Sequence, residues 1–315
     1  MKKKIFIDGS EGTTGLRIFE RFENRDDIEL LKIPSELRKD PDEVRKYINE
    51  SDITFLCLPD AAAREAVAMV DNENTVILDT STAHRTEAGW AYGYPELSAA
   101  HRDAIRTGKR IAVPGCYATG FITTAYALVA GGILPKDYPV SAFAVSGYSG
   151  GGKKLIAQYQ AEDRGNEFNS ARLYALSQTH KHLKEMKAIS GLERTPLFSP
   201  MVTDYYSGMT VSLSFYADML NGKQTPQTVR DYLAKHYEGE KFITVQPLGA
   251  EEETGGILFS DGRSGWDGLE IYVTGNEERI MVTTRFDNLG KGASGAAIQC
   301  LNIVLGCEED KGLVL

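Results

Sequence analysis

The sequence predicts an α/β protein: a mostly parallel sheet flanked by helices, joined to a second α+β domain with a mixed or antiparallel sheet. Three observations predict it. Short apolar runs alternate with helix signals through the first third of the chain, the rhythm of βαβ units. A glycine-rich turn joins the first apolar run to the first helix. From about residue 140 the pattern changes to apolar/polar alternation, the mark of strands with one wet face.

The elements follow in order. Lys4 to Ile7 is a short apolar run ending at Asp8-Gly9, hence a buried strand. Thr14 to Phe22 reads as a helix and Ile28 to Ile33 as the second strand. Asp40, Pro41 and Glu43 start a helix: a capping side chain, a proline at the first helical position and a carboxylate three residues on. Ile53 to Leu58 is the third strand, and Asp60 caps an alanine-rich helix reaching about Val70. Thr75 to Leu78 and Arg110 to Val113 complete the parallel set. Further on, Val140 to Val145, Val211 to Tyr216, Leu269 to Val273 and Ile280 to Phe286 read as strands. A helix marked by Thr225-Pro226 runs to about His236, and Gly292 to Leu305 is helical after a Gly-rich turn. The expected division is 1–115 with 289–315 as one domain and 116–288 as the other.

Composition narrows the function. The chain has 315 residues, 35 basic and 44 acidic, for a net charge of −9. That balance opposes nonspecific nucleic-acid binding, which needs clustered Lys and Arg, and opposes a membrane-surface role. Hydrophobic residues at 42% suffice for a core without staples. The uncharged stretch from Ile111 to Pro135 is broken by Pro114, Gly115, Gly120, Gly131 and Gly132, so it reads as a buried helix with loops rather than a membrane span. Met1 and three lysines resemble the start of a secretion signal, but Ile5 to Ile7 is too short for its apolar region. The four cysteines form no CxxC and no Cys/His pair at metal spacing. The expectation is a cytoplasmic chain with reduced thiols and no metal.

Gly9-Ser10-Glu11-Gly12-Thr13-Thr14-Gly15 is GxxGxxG at the first strand-to-helix turn. Its spacing departs from GxGxxG, but the physical need is the same: glycines let the backbone approach a pyrophosphate, and the helix N-terminus favours the anion. A Rossmann-type dinucleotide domain follows. After the second strand come Ser35, Glu36, Arg38 and Lys39, where cationic groups suit the 2′-phosphate of NADP and an acid suits NAD. Ser35, Arg38 and Lys39 favour NADP, and Glu36 is the contrary residue.

Cys116 lies in Pro114-Gly-Cys-Tyr-Ala-Thr119, at a strand end and before an apolar helix. A thiol there sits in the positive end of the helix dipole and can become the nucleophile of a thioester mechanism. Cys57, Cys300 and Cys307 read as structural. A base is needed, and His180-Lys181-His182 supplies two candidates; a two-histidine metal site would lack further ligands.

Seven segments, in order, resemble the shorter N-acetyl-γ-glutamyl-phosphate reductases nearly end to end. They are Gly9 to Gly15, Asp79-Thr-Ser-Thr-Ala-His-Arg85, Tyr92-Gly-Tyr-Pro-Glu-Leu97, Pro114 to Thr119, Ser146-Gly-Tyr-Ser-Gly-Gly-Gly-Lys153, the histidine pair, and Asn288-Leu-Gly-Lys-Gly-Ala-Ser-Gly295. The resemblance implies an NADPH-dependent reduction of an acyl phosphate to an aldehyde, with Cys116 as nucleophile. It maps the acid/base to His182. Lys184 stands where the family commonly has proline, which leaves His180 open. It further implies cofactor contacts from the glycine loop, Ser81, Gly150, Asn288, Lys291 and Gly292. Arg85, Ser149 and Lys153 are implied to bind substrate, Arg85 alternatively serving as a structural residue. A homo-oligomer, dimer or tetramer, is expected. The rivals are a related acyl-phosphate reductase acting on aspartyl or aminoadipyl phosphate, a non-enzymatic NADP sensor, and a cysteine hydrolase.

Overall fold

A computed structural model describes residues 2–23 and 25–315; Met1, with which the basic N-terminal run begins, lies outside them. The chain divides into two compact units, residues 1–115 with 293–313, and residues 116–292 with 314–315. The returning segment Gly290–Ser294 is thus split between them.

In the first unit the strands are β1 (Lys3–Asp8), β2 (Ile28–Leu31), β3 (Ile53–Leu56), β4 (Val76–Asp79), β5 (Ala91–Tyr92) and β6 (Arg110–Ala112). They form one parallel sheet in the order β2-β1-β3-β4-β6-β5. β5 is two residues long and carries no sequence signal of its own. The helices are α1 (Thr13–Phe22), α2 (Pro41–Glu50), α3 (Asp60–Ala68) and α4 (Ala99–Thr107). Asp40 caps α2, accepting from the N–H groups of Asp42 and Glu43 at 3.0 and 3.3 Å. Successive side chains of β1 feed two cores. Ile5 and Ile7 pack with α1, Ile105 of α4 and the last helix, Gly295–Leu305, while Phe6 packs with Val44, Ile48, Ala63 and Ala66 of α2 and α3. Period-two alternation thus places helices on both faces. The order turns outward in both directions from β1 and β3, so the crevice at their carboxyl ends is the ligand position of such sheets.

The second unit holds α5 (Cys116–Ala130), β7 (Ser141–Gly147), α6 (Gly152–Gln160), β8 (Arg172–Leu173), α7 (Leu183–Ser190), β9 (Leu197–Thr203) and β10 (Met209–Tyr216). After these come α8 (Pro226–His236), β11 (Ile243–Val245), β12 (Leu269–Gly275) and β13 (Arg279–Phe286). Its seven strands run β11-β12-β13-β10-β7-β9-β8. The sheet is mixed: β7 with β9 and β11 with β12 are parallel, the other pairs antiparallel. α5 lies close on β10 and β13. A Cβ on Gly120 would meet Thr284 Oγ1 at 2.6 Å and Val211 Cγ2 at 2.7 Å, so only glycine permits that approach. The cross-strand pairs Ser141–Leu197, Phe143–Ser212 and Ser214–Met281 put Phe143, Leu197 and Met281 on one exposed face. Among the described residues no helix is long and apolar enough to cross a membrane.

Candidate active site

In the first unit the glycine loop turns from β1 into α1 against the end of β3. Gly9 has φ +80°, and a Cβ there would strike the Cys57 carbonyl. A Cβ on Gly15 would strike the Gly9 carbonyl oxygen and lie 3.0 Å from the Gly9 carbonyl carbon and Ser10 Cα. Gly12 N–H donates to Gly9 O at 2.9 Å, closing the turn. This is a cradle that side chains would fill. Thr13 Oγ1 is buried there with no hydrogen-bond partner, a donor placed to receive an anion. The loop therefore fits a dinucleotide pyrophosphate. Ser35, Glu36, Arg38 and Lys39 are all exposed on the turn after β2, and Arg38 is ion-paired with Glu11 of the loop. Burial raises Asp8, which ends β1, to about 6. It also pushes the Cys57 thiol up to about 12, consistent with an inert cysteine.

The Asp79 to Arg85 segment forms a buried network. Asp79 accepts from Ser81 N–H at 2.9 Å and Ser81 Oγ at 2.7 Å, and lies 2.6 Å from His84 Nδ1. The His84 ring stacks on Trp90. Arg85, 8% exposed, donates to the carbonyls of Val113 and Thr80 at 2.9 Å each. The structure thus engages Ser81 with Asp79 and Arg85 with backbone carbonyls.

In the second unit Cys116 is the first residue of α5, half-buried, at the positive end of a 15-residue helix. A Cβ on Gly292 would lie 2.9 Å from Cys116 Cβ, so glycine there makes room for the thiol-bearing residue. The next residue, Tyr117, anchors an aromatic cage. Its ring centroid lies 5.7 Å from His180, 6.0 Å from His182 and 5.2 Å from Phe198. Tyr174 OH donates to Tyr117 OH at 2.9 Å. Both phenols are held well above their usual pKa, chiefly by burial. His182 N–H donates to His180 Nδ1 at 3.2 Å. Burial, with the neighbouring Lys181 charge, lowers His180 to about 4. His180 is accordingly neutral at neutral pH, with Nδ1 as acceptor.

Beside the cage lies a cavity of about 480 Å³ lined by Tyr117, Tyr174, Ser146, Gly150, Leu155 and Arg172 among others. Arg172 and Tyr174 are functional candidates that sequence reading missed. Arg172 stacks over Tyr159 and Phe168, and its Nε donates to Tyr159 OH at 3.1 Å. A lone arginine after an irregular segment gives no motif to find it by. Of the Gly-rich loop, Ser149 is buried and accepts from Asn288 Nδ2 at 3.0 Å, while Gly208 N–H donates to Asn288 Oδ1 at 2.9 Å. Asn288 is therefore a clamp on that loop. Gly150 lies beside it, and Lys153 is exposed in the first turn of α6. Lys291 is 1% exposed with its ammonium 5.0 Å over the Phe242 ring. Among the described residues no cluster of three or more His, Cys, Asp or Glu could hold a metal.

The two units match two family descriptions. Residues 4–106 match "Semialdehyde dehydrogenase, NAD binding domain" and residues 116–288 match "Semialdehyde dehydrogenase, dimerisation domain". Solved structures agree at the level of fold. Aspartate semialdehyde dehydrogenase from Francisella tularensis superposes with a TM-score of 0.73 at 14% identity, over 97% of this chain and 100% of that one. The second enzyme of that name from Vibrio cholerae gives 0.71, also at 14% identity, over 97% and 99% of the two chains. An α/β nicotinamide-dinucleotide domain followed by a mixed-sheet unit is the plan of that class. Within it, relatives named N-acetyl-γ-glutamyl-phosphate reductase are far more similar. One from Nostoc sp. is 44% identical over 99% of both chains, and one from Brucella ovis is 44% identical over 97% of this chain and 100% of that one. The chain belongs to the N-acetyl-γ-glutamyl-phosphate reductase family.

Proposed function

We propose that this protein reduces N-acetyl-γ-glutamyl phosphate to the 5-semialdehyde with release of phosphate, in arginine biosynthesis, using NADPH. The observation that carries the reading is Cys116 opening α5 beside the cage of Tyr117, Tyr174, His180 and His182. The Cys116 thiolate attacks the acyl carbon, forming a thioester as phosphate leaves. When bound, a nicotinamide cofactor would supply the hydride that reduces the thioester carbonyl. N–H groups of the first turn of α5 stabilise the oxyanion. His182, as imidazolium, protonates that oxygen; it then takes the proton back as the thiolate departs and the aldehyde is released. His180 is assigned the supporting role because its Nδ1 already accepts from His182 N–H and burial holds it neutral.

Arg172, at the edge of the cavity, anchors the substrate carboxylate as a charge-assisted pair. Ser149, Gly150 and Lys153 form the phosphate end, with Asn288 holding the loop in shape. Glycine-loop residues Gly9, Ser10, Gly12, Thr13, Thr14 and Gly15 hold the pyrophosphate, and Ser35, Arg38 and Lys39 select the 2′-phosphate. Ser81, Lys291 and Gly292, all buried, are assigned to the cofactor; Arg85 braces the strand ends. The protein works as a cytoplasmic homo-oligomer, supported by the exposed Phe143, Leu197 and Met281 face.

The test is the reverse reaction. N-acetylglutamate semialdehyde, phosphate and NADP are incubated with the protein, with NAD and aspartate semialdehyde in parallel. Phosphate-dependent NADPH formation with the acetylated substrate alone is the expected result. Turnover of aspartate semialdehyde alone would overturn the substrate while keeping Cys116 as nucleophile. A preference for NAD would overturn the roles of Arg38 and Lys39.

A further inference from the structure

The chain between β8 and α7 begins at Tyr174 and closes with His180 and His182, and its path is unusual. β8 pairs with β9 through Arg172–Val202 and Leu173–Met201, and the last bond of that edge runs from Tyr174 N–H to Pro200 O at 3.2 Å. Beyond it the chain arches away. Ala175 and Gln178 both have positive φ, 53° and 57°, a conformation side-chain-bearing residues rarely adopt and keep only where the surroundings impose it. Gln178 N–H donates to Ala175 O at 3.0 Å, closing the arch. Its side-chain amide then completes the sheet edge. Gln178 Nε2 donates to Phe198 O at 2.8 Å, and Phe198 N–H donates to Gln178 Oε1 at 2.9 Å. One amide thus replaces a missing strand residue opposite Phe198.

Phe198 is the residue against which the catalytic groups rest. Its ring is 5.2 Å from both Tyr117 and His180, and it is 1% exposed. His180 in turn contacts Tyr174 at 5.9 Å and accepts the His182 N–H. Gln178 itself is exposed, so replacing it removes no core packing. We infer that Gln178 is a positioning residue: its two-point bond to Phe198 fixes the strained arch, and through it the His180 ring and the His182 backbone, for the chemistry at Cys116. The inference rests on the reductase reading for its activity readout only.

The experiment compares wild type with Gln178→Met, Gln178→Glu and a control at the exposed arch tip, Leu176→Ala. Turnover is read in the semialdehyde assay as a ratio to wild type across pH. Separately, the His180 midpoint is followed by histidine-selective NMR, which needs no substrate. Gln178→Met is expected to lower kcat by roughly 10–100-fold with the KM for nicotinamide cofactor unchanged. The His180 midpoint is expected to rise from about 4 toward the free value of about 6.5. Lys181, His182, Tyr117 and Tyr174 lie against that ring, Lys184 and Lys187 of α7 line the pocket it borders, and none is altered. Gln178→Glu should lose activity at neutral pH and recover relative to wild type on acidification, because only the neutral carboxyl can donate to Phe198 O. Leu176→Ala should change neither readout. Wild-type kcat together with an unmoved His180 midpoint in Gln178→Met overturns the proposal, and so does a Gln178→Glu ratio that stays flat with pH. If wild type turns over no semialdehyde, the reaction reading fails by itself, and the His180 midpoint still decides the role of Gln178.

Discussion

Gly15→Ala separates the two units' tasks most directly. The added Cβ would overlap the Gly9 carbonyl oxygen and sit 3.0 Å from the Gly9 carbonyl carbon and Ser10 Cα. Carbon–carbon contacts settle at about 3.5–4.0 Å, so the loop must retreat by roughly 0.5–1 Å. The obstructing atoms are backbone, which cannot rotate away. Overpacking of this kind costs about 1–3 kcal/mol. If dinucleotide binding must restore the native loop, that energy is charged against affinity, weakening it about 5–150-fold. Gly12→Ala is the graded control, since its Cβ would lie 3.2 Å from the Gly9 oxygen and a small shift relieves it. Fluorescence titration with NADPH measures the affinity, and the alkylation rate of Cys116 reports on the second unit. Gly15→Ala should bind NADPH much more weakly than Gly12→Ala, with alkylation unchanged in both. Wild-type affinity in Gly15→Ala, or a larger loss in Gly12→Ala, would refute the assignment of the loop as the pyrophosphate cradle.

Four further outcomes are expected. Cys116→Ser should abolish turnover and leave the NADPH dissociation constant unchanged, as measured by the same titration. Arg172→Met should raise the KM for the semialdehyde about 10–150-fold, the loss of one charge-assisted bond of roughly 1.5–3 kcal/mol, while kcat changes less. Asp8→Asn tests a half-buried carboxyl whose folded pKa of about 6 lies above its unfolded value. The stability Asp8 contributes is full below about pH 4 and lost as pH rises through about 6, so the amide should stabilise the fold at pH 7 by about 1–3 kcal/mol and not at pH 4, by chemical denaturation. Arg25 holds Asp27 through two bonds of 2.7 Å and keeps that carboxyl below the usual range. Its contribution is present above about pH 4 and lost as pH falls. Asp27 is half-buried and keeps Lys311 at 3.0 Å, so Arg25→Met should cost about 1–3 kcal/mol at pH 7 and progressively less in acid.

Much of the first unit was legible because its signals are local. Apolar runs ending in Asp-Gly or Pro-Gly became β1 and β6, and Asp40-Pro41 became the cap of α2. β5 was not legible, because Ala91–Tyr92 is held by its partner Ile111–Ala112 and not by its own pattern. β9 hid behind Pro200, which reads as a strand breaker. The break is harmless there because Pro200 needs only its carbonyl, used by Tyr174 N–H. In the site, Cys116 and the histidines stood out by residue type and by their neighbours. Arg172, Tyr174 and Gln178 did not, because their roles come from strand pairing that brings residues 172–178 to residues 198–202. Asn288 stood out by its motif, but its clamping bonds were not legible, since its partners Ser149 and Gly208 lie far off in sequence.

The first unit is discontinuous, and this sets a schedule for synthesis. Its core includes Ala297, Ile298, Leu301 and Ile303 from the last helix, packed with Ile5, Ile18 and Ile111. The second unit is essentially one uninterrupted stretch, residues 116–292. At about 5–20 residues per second, the ribosome needs roughly 10–40 s to traverse that stretch. Throughout that interval the nascent first unit exposes the apolar groove that only residues 295–305 can fill. The enclosed unit can reach its native state first, leaving the amino-terminal sheet as the part of the nascent chain most exposed to chaperone capture.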